Sequence, residues 1–448
     1  MSQGQKPKSD LALLGGQKAV GSEPGDVFIW PIVTREHEEA VLGVLRAGKM
    51  SGIDVTRQFE REYAKVLGRK YALACNNGTA AIHCGFYGMG IGVGDEVISP
   101  SLTYWASIAP VYSLGATAVF ADIEPDTLCI DANDIEHRIT RRTKAIVVVH
   151  YTGMFPDMDA IMAIAQKHGL MLLEDASHAH GALYKGREAG TFGDVAAFSL
   201  MSGKPFPIGE GGILFTDDRS VYERGLLFGH YARHDEIQLE ELQRWKGPPC
   251  GGYKYRMHQV SSAFGRVQLR LYPKQMAEID EAMNYFCDLL EDTPGVVPMR
   301  PPKGTSTTKG GWYNPAAKYK PQELGGLSVG RFAEAVTAEG SMSFPGCGKP
   351  LHLHPLFHEM DVYGHGRPTR IANLGEAARV RQPVDTLPVT ERANRSVCTL
   401  PWFKRHRPKI IQEHANAFKK VVANYKDLLA GDKGDSEDLG AYGTSARH

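Results

Sequence analysis

The stretch Ala145-Ile-Val-Val-Val-His150, followed by Asp157-Met-Asp-Ala-Ile-Met-Ala-Ile-Ala-Gln-Lys-His168 and then Met171-Leu-Leu-Glu174, decides the fold. The first run is β-branched, apolar at successive positions and too short for a stable helix, which is the pattern of a strand buried on both faces. The second places its apolar residues at helical spacing behind an Asp suited to an N-cap, and the third is again a short apolar strand. Working outward, the alternation continues in both directions. Strands are predicted at Tyr71–Cys75, Glu96–Ser99, Thr117–Ala121, Val195–Ser199 and Gly212–Thr216, with helices at Thr79–Gly90 and Trp105–Leu114. Strands alternating with helices imply an α/β fold, here a mostly parallel seven-stranded sheet sandwiched by helices. On such a sheet, ligands bind beyond the carboxyl ends of the strands.

The 448 residues allow two or three domains. Residues 1–27 are polar and Gly-rich and read as a flexible N-terminal arm. Residues 28–265 form the large domain, opened by helices from Thr34 to Leu45 and from Val55 to Leu67. After about 265 the texture shifts to a long charged helix from Ser261 past Asn284, a Gly/Pro/Thr-rich loop at 301–311 and a smaller C-terminal α/β domain over 266–430. Helices are expected there at Val329–Glu339 and Pro408–Leu429, and residues 431–448 read as a disordered tail.

Lys plus Arg and Asp plus Glu are both 51, so no basic excess points to nucleic acid as a partner. No apolar run approaches the ~20 residues that cross a bilayer, and no signal-peptide core precedes residue 25, so a cytoplasmic protein without membrane attachment is expected. The seven Cys are scattered without a CxxC pair, which indicates neither a disulfide framework nor a zinc site.

Four short stretches carry chemistry. In Phe198-Ser199-Leu-Met-Ser-Gly-Lys204-Pro, a lysine follows a buried strand into a loop bounded by Pro and Gly; a desolvated amine there becomes a nucleophile for carbonyls. On that stretch alone a solvated loop lysine is the better reading. Asn76-Asn77-Gly78-Thr79 joins a strand to a helix, and the first amides of that helix with the Thr79 hydroxyl form an anion cradle, although an N-cap without a ligand explains the same residues. Asp175 ends the strand Met171–Glu174 at the ligand edge, where a carboxylate can hold a pyridinium N–H, and His178 follows three residues on. The competing roles are a helix cap and a packed imidazole. Pro100-Ser-Leu-Thr-Tyr104-Trp105 supplies aromatics at another strand end, one of which could stack on a planar ring. Together these are the parts that hold pyridoxal phosphate.

With these motifs in this order, from about Trp30 to Leu429, the chain resembles the DegT/DnrJ/EryC1/StrS family of sugar aminotransferases. Asn77-Gly78-Thr79-Ala-Ala81, Glu174-Asp175-Ala-Ser-His178-Ala-His-Gly181, Gly193-Asp194, Gly209-Glu-Gly-Gly212 and Gly252-Tyr-Lys-Tyr-Arg256 all fall in family order. The resemblance implies the pyridoxal-phosphate fold type I, which is aspartate-aminotransferase-like. It implies that Lys204 forms the Schiff base, Asp175 pairs the pyridine nitrogen, and Tyr104 stacks on the ring. By the same resemblance, Gly78, Thr79 and Ser199 hold the phosphate, and His178 lies near the phenolic oxygen. It also implies an amino donor such as L-glutamate or glutamine, a keto-sugar acceptor, and a homodimer whose sites are completed by the neighbouring subunit.

Two departures stand out. Lys254 occupies a position where the family commonly has Asn reaching the neighbour's phosphate, and Ser202-Gly203 replaces the usual Pro-Thr before the lysine. Within the family, Ser199–Lys204, Tyr253–Val260 and Pro350–Phe357 resemble the transaminases that make 8-amino-3,8-dideoxy-manno-octulosonate, a sugar of lipopolysaccharide. Some relatives replace the lysine with His and become dehydratases; a lyase reaction on this scaffold and a non-catalytic regulator stay open as alternatives. Gly88-Met-Gly90-Ile-Gly92-Val-Gly94 fails the dinucleotide fingerprint, because it follows a helix and precedes a strand. His352, His354 and His358 read better as pocket lining than as metal ligands, and no metal is expected. Residues 230–235 read as a mobile charged loop.

Overall fold

The computed structural model describes residues 9–374, 386–437 and 439–440 of the chain. The core is a seven-stranded sheet built as expected from the strand-helix alternation. Its strands are β1 (Tyr71–Cys75), β2 (Glu96–Pro100), β3 (Thr117–Ala121), β4 (Thr143–Val149), β5 (Met171–Asp175), then β8 (Val195–Ser199) and β9 (Gly212–Thr216), with a two-stranded hairpin, β6 (Leu183–Tyr184) and β7 (Arg187–Glu188), intervening. The order across the sheet is β1-β9-β8-β5-β4-β2-β3, and β9 alone runs against its neighbours. Val147, Val148 and Val149 on β4 are buried on both faces, as a central parallel strand requires.

Helices α1 (Arg35–Arg46), α2 (Asp54–Leu67), α3 (Gly78–Gly88), α4 (Ala132–Arg138), α5 (Met158–His168) and α6 (Arg219–Gly229) surround the sheet. The edge strand β1 is protected by side chains. The Ala74 N–H donates to Glu60 on α2 (2.7 Å), and the Ala74 carbonyl accepts from His230 Nε2 (3.1 Å). Buried Arg233 ties Glu60 (2.6 Å) to Glu236 (2.8 Å), so the segment expected to be a mobile loop at 230–235 is a pinned 3₁₀ turn. The predicted helix Trp105–Leu114 is instead two 3₁₀ segments broken at Ile108 (φ −135°), because Pro110 supplies no N–H and Gly115 turns the chain left-handed.

After the short α7 (Glu240–Gln243), the long helix α8 (Gln259–Leu289) runs unbroken through Pro273. Its first half packs on α1 and α2, while Phe286 near its end packs on Phe403 and Phe418. The boundary expected at 265/266 therefore falls inside one helix. The smaller C-terminal unit is an antiparallel sheet of β10 (Val296–Pro298), β11 (Ala316–Tyr319) and β12 (Val397–Thr399), covered by α9 (Val329–Ala338) and the helix Pro408–Ala423.

Both chain ends are more tightly held than their composition suggests. The arm is not loose from residue 9 onward. Leu11 and Val27 are fully buried, and Glu339 accepts from the amides of Ala12 (2.8 Å) and Ala19 (2.9 Å). The short apolar runs 11–14 and 27–30 and these hydrogen bonds anchor an otherwise polar sequence, which overall composition does not register. At the other end, Asp432 accepts from the Ser328 amide (2.7 Å) and hydroxyl (2.5 Å) at the start of α9, so the first residues of the expected disordered tail act as a helix cap. Residues 441–448 lie outside the described residues.

Glu188 on β7 faces the buried phenols of Tyr63 and Tyr272, and burial pushes its carboxyl up to about 7. The folded chain therefore holds this proton more tightly than the unfolded chain, where the group titrates near 4.5. Its stabilising contribution is present below that value and is lost as pH rises towards 7. The Glu188→Gln variant should lose less thermal stability than the wild type between about pH 5 and pH 8, measured by melting temperature.

Candidate active site

The carboxyl ends of β1, β8 and β5 open on one edge of the sheet. In register, Cys75 faces Gly212 and Gly212 faces Ser199, so the start of the reversed strand β9 lies between the ends of its two neighbours. Asn77 caps α3 by accepting the Ala80 amide (2.8 Å), while its carbonyl takes the Ala81 amide. The amides of Gly78 and Thr79 precede the first intrahelical bond and face off the helix end. A Cβ on Gly78 would come within 2.9 Å of the Ser199 Cβ, and the Ser199 amide donates to the Ser177 hydroxyl (2.9 Å). The sequence-predicted cradle of Gly78, Thr79 and Ser199 is thus one cluster, suited by its amides and hydroxyls to a phosphate.

Asp175 is buried at the end of β5. Its Oδ2 accepts from the Ser107 hydroxyl (2.6 Å), which pairs with Thr103 Oγ1 (2.8 Å), and its Oδ1 accepts from the Ser177 amide (3.1 Å). Ser107 reaches Asp175 because the chain around it is kinked 3₁₀ turn rather than regular helix. His178 is also buried, and its Nδ1 accepts from the Thr152 amide (3.3 Å), which places the ring proton on Nε2. Thr152 is held at φ 53°, a conformation costly for a β-branched residue, and that turn aims its N–H at the imidazole. Burial, then the Lys204 charge, then His180 keep the His178 pKa well below its ordinary value, so the ring stays neutral.

Lys204 lies in a self-bonded hairpin between β8 and β9. The Ser202 amide donates to the Gly209 carbonyl (2.8 Å), and the Lys204 amide to that of Met201 (2.8 Å). Its ammonium sits 3.8 Å from the centre of the Tyr313 ring, and the side chain is buried. The His178 ring packs on the same Tyr313 at 4.5 Å. Tyr104, partly exposed, lies against Trp105 (4.9 Å); burial raises its phenol, with Tyr313 and Glu210 adding to the effect. Lys204, His178, Asp175, Tyr104 and the cradle therefore lie together beyond the carboxyl ends of β1, β5 and β8.

Lys254 stands apart from this cluster. Its backbone runs beside the cradle, since the Asn76 amide donates to the Tyr255 carbonyl (2.7 Å), but its exposed ammonium lies over Tyr231 (5.9 Å) with Arg256 on the same ring (5.9 Å). Sequence reasoning missed Ser107, Ser177, Tyr313 and Thr152. Ser177 could have been read from Asp175-Ala-Ser177-His178, in which Asp175 and Ser177 alternate; Tyr313 comes from a loop with no periodic signal. Of the three histidines, His352 is buried between Ser101 Oγ (2.7 Å) and Glu391 (2.9 Å), and His354 caps a short helix. The His358 side chain lies outside the described residues, and no metal-holding cluster occurs among the described residues.

Residues 31–418 match the DegT/DnrJ/EryC1/StrS aminotransferase family. The chain belongs to that family. L-Glutamine:scyllo-inosose aminotransferase of Streptomyces griseus is 31% identical over 438 residues, covering 94% of this chain and 99% of that protein. GDP-perosamine synthase of Caulobacter vibrioides is 41% identical over 230 residues, covering 51% and 60%. Among solved structures, an aminotransferase from Psychrobacter cryohalolentis superposes with a TM-score of 0.76 at 28% identity, over 89% of this chain and 100% of that one.

The protein is, like its family, a pyridoxal-phosphate-dependent aminotransferase. The donor set fits the cofactor. The cradle suits its phosphate, Asp175 its ring nitrogen and Lys204 its aldehyde, and glycine at 78 and 212 leaves the cradle its space. A Cβ at 212 would lie 2.3 Å from the Asn77 carbonyl carbon and 2.5 Å from the Gly78 nitrogen. Gly212→Ala should therefore push the cradle aside, weakening pyridoxal phosphate retention by about tenfold or more in equilibrium dialysis. The same variant should lose about 1–3 kcal/mol of stability from overpacking.

Proposed function

We propose that the chain transfers an amino group from L-glutamate or L-glutamine to a keto or aldehydo sugar during amino-sugar biosynthesis. The observation that carries this reading is the convergence of buried Lys204, neutral His178 and Asp175 beside the Gly78–Thr79–Ser199 cradle. The names of the relatives support the acceptor class, one acting on an inosose and another making GDP-perosamine. An octulosonate acceptor falls within that class, and the cations Lys254 and Arg256 would suit its carboxylate.

When bound, pyridoxal phosphate supplies an aldehyde that exchanges amines and a ring that accepts electrons. The chain supplies the rest. Lys204 would hold the aldehyde and, as a free amine, would take up the proton leaving the donor's Cα. Asp175, fixed by Ser107 and Ser177, holds the proton on the ring nitrogen. Neutral His178 presents an N–H donor without adding a charge beside Lys204. The two half-reactions alternate in one site. A homodimer and a cytoplasmic location complete the proposal, the first supported by exposed Lys254 and Tyr231 beside the cradle. Lys204 disfavours a dehydratase, because that reaction in relatives goes with its replacement by His.

Absorbance spectra of protein loaded with pyridoxal phosphate test the reading. L-Glutamate or L-glutamine should move the visible band to the near ultraviolet, and the true acceptor sugar should restore it. Lys204→Ala should lower kcat by roughly 10²–10⁴-fold while the protein remains folded. A visible band that neither donor moves, or full turnover in Lys204→Ala without added amine, would overturn it.

A further inference from the structure

Resting on the reading of Lys204 as the reactive lysine, we propose that Trp30 is a positioning residue for Lys204, wedged by Lys404, through which the C-terminal unit sets the poise of that amine. The segment from Asp26 to Trp30 forms a strap between the C-terminal unit and the lysine hairpin. At one end Asp26 pairs with Arg407 (2.6 Å), and the Lys404 amide donates to the Val27 carbonyl (2.7 Å). Phe28 then stacks on Phe403 at 5.4 Å and meets the edge of His414 at the same distance. At the other end the Trp30 indole N–H donates to the Lys204 carbonyl (2.9 Å). That bond crosses 174 positions of sequence and joins the strap to the reactive residue itself.

A second route closes the loop from the opposite side. Lys204 Nζ lies over Tyr313, Tyr313 meets Trp402 edge-on at 5.6 Å, and Trp402 donates to the Gly311 carbonyl (2.9 Å). Trp402 and Trp30 are 6.4 Å apart, and Lys404 Nζ sits on the face of Trp402 and 5.7 Å from Trp30. Both the carbonyl and the amine of Lys204 are thus held by one aromatic group with Lys404 at its centre. Lys404 is 5% exposed, and its described side-chain contacts are these two indoles, which can stabilise a cation where water is excluded. Burial works against that cation and lowers its pKa well below the ordinary value. The titratable groups that face Lys204 are Tyr313 from the 301–313 loop and the neutral imidazoles of His178 and His180, with Lys404 standing behind the Trp402 layer.

Trp30→Phe removes the indole donor and keeps a ring, and Lys404→Met keeps the stem and removes the amine from between the indoles. Either change should loosen the aromatic group and admit water to Lys204, so both should favour its charged form. In protein loaded with pyridoxal phosphate, the pH midpoint of the visible band should rise by roughly half to one unit in Trp30→Phe, and by less in Lys404→Met. With either donor, kcat should fall about three- to tenfold in Trp30→Phe while KM stays within about twofold. Should Trp30→Phe fail to fold, Lys404→Met carries the test alone. A wild-type midpoint and kcat in the variants would overturn the proposal, as would loss of folding in both, since the strap would then be a structural support only. Lys204→Ala separates the two readings. If the wild-type band fails to form or survives that substitution, the reading of Lys204 falls and this inference with it. If the band depends on Lys204 yet ignores Trp30 and Lys404, this inference alone falls.

Discussion

A carboxylate buried from solvent and met by four N–H donors anchors the site. Glu174 is fully buried at the end of β5 and accepts from His150 Nε2 (3.0 Å) and from the amides of Gly190 (2.9 Å), Phe192 (2.6 Å) and Gly193 (2.7 Å). Burial alone would raise its pKa, yet the His150 N–H and these amides hold it below the usual carboxylate range. A buried charge so paired is costly to disturb, because removing any partner leaves the rest desolvated. The segment between Asp175 and Gly193 is consequently clamped at both ends of a single side chain's reach. That segment carries Ser177, His178 and His180, so Glu174 braces the backbone of the imidazoles while Thr152 and Tyr313 set the His178 ring. Gly190 completes the clamp, since a Cβ there would strike the Phe198 ring at 2.7 Å and φ is 89°.

The sheet and its ligand edge were legible because each depends on local pattern. Val147–Val149 and Leu172–Leu173 announce strands by composition over a few residues, and Asp157 announces a helix by its cap. Lys204, Asp175, His178 and the Gly78–Thr79 turn were legible for a related reason, since each sits within a few positions of a strand end that the pattern already locates. Reversal of β9 was not legible, because a short apolar run has the same composition in either direction.

What stayed hidden depends on contacts between distant parts of the chain. Ser107 meets Asp175 across 68 positions and Trp30 meets Lys204 across 174, and no local period encodes either meeting. The arm illustrates the same limit. Leu11 and Val27 open short apolar runs, 11–14 and 27–30, in an otherwise polar arm, and only the surface they land on turns them into anchors. Composition reports how much a segment could bury, whereas these two positions show that where it buries can matter more.

The lysine hairpin has one further implication. Ser199 and Gly212, at its two feet, are register partners inside the sheet, and the Leu200 and Gly211 backbones are bonded just above them (2.9 Å). The hairpin is therefore rooted independently of what its tip contacts. The sequence at the tip, such as Ser202 and Gly203, is thereby uncoupled from the sheet register that fixes Ser199, so the tip can vary without moving the roots. One scaffold can in this way supply a lineage of enzymes that differ in the sugars they accept and agree in the reaction they perform.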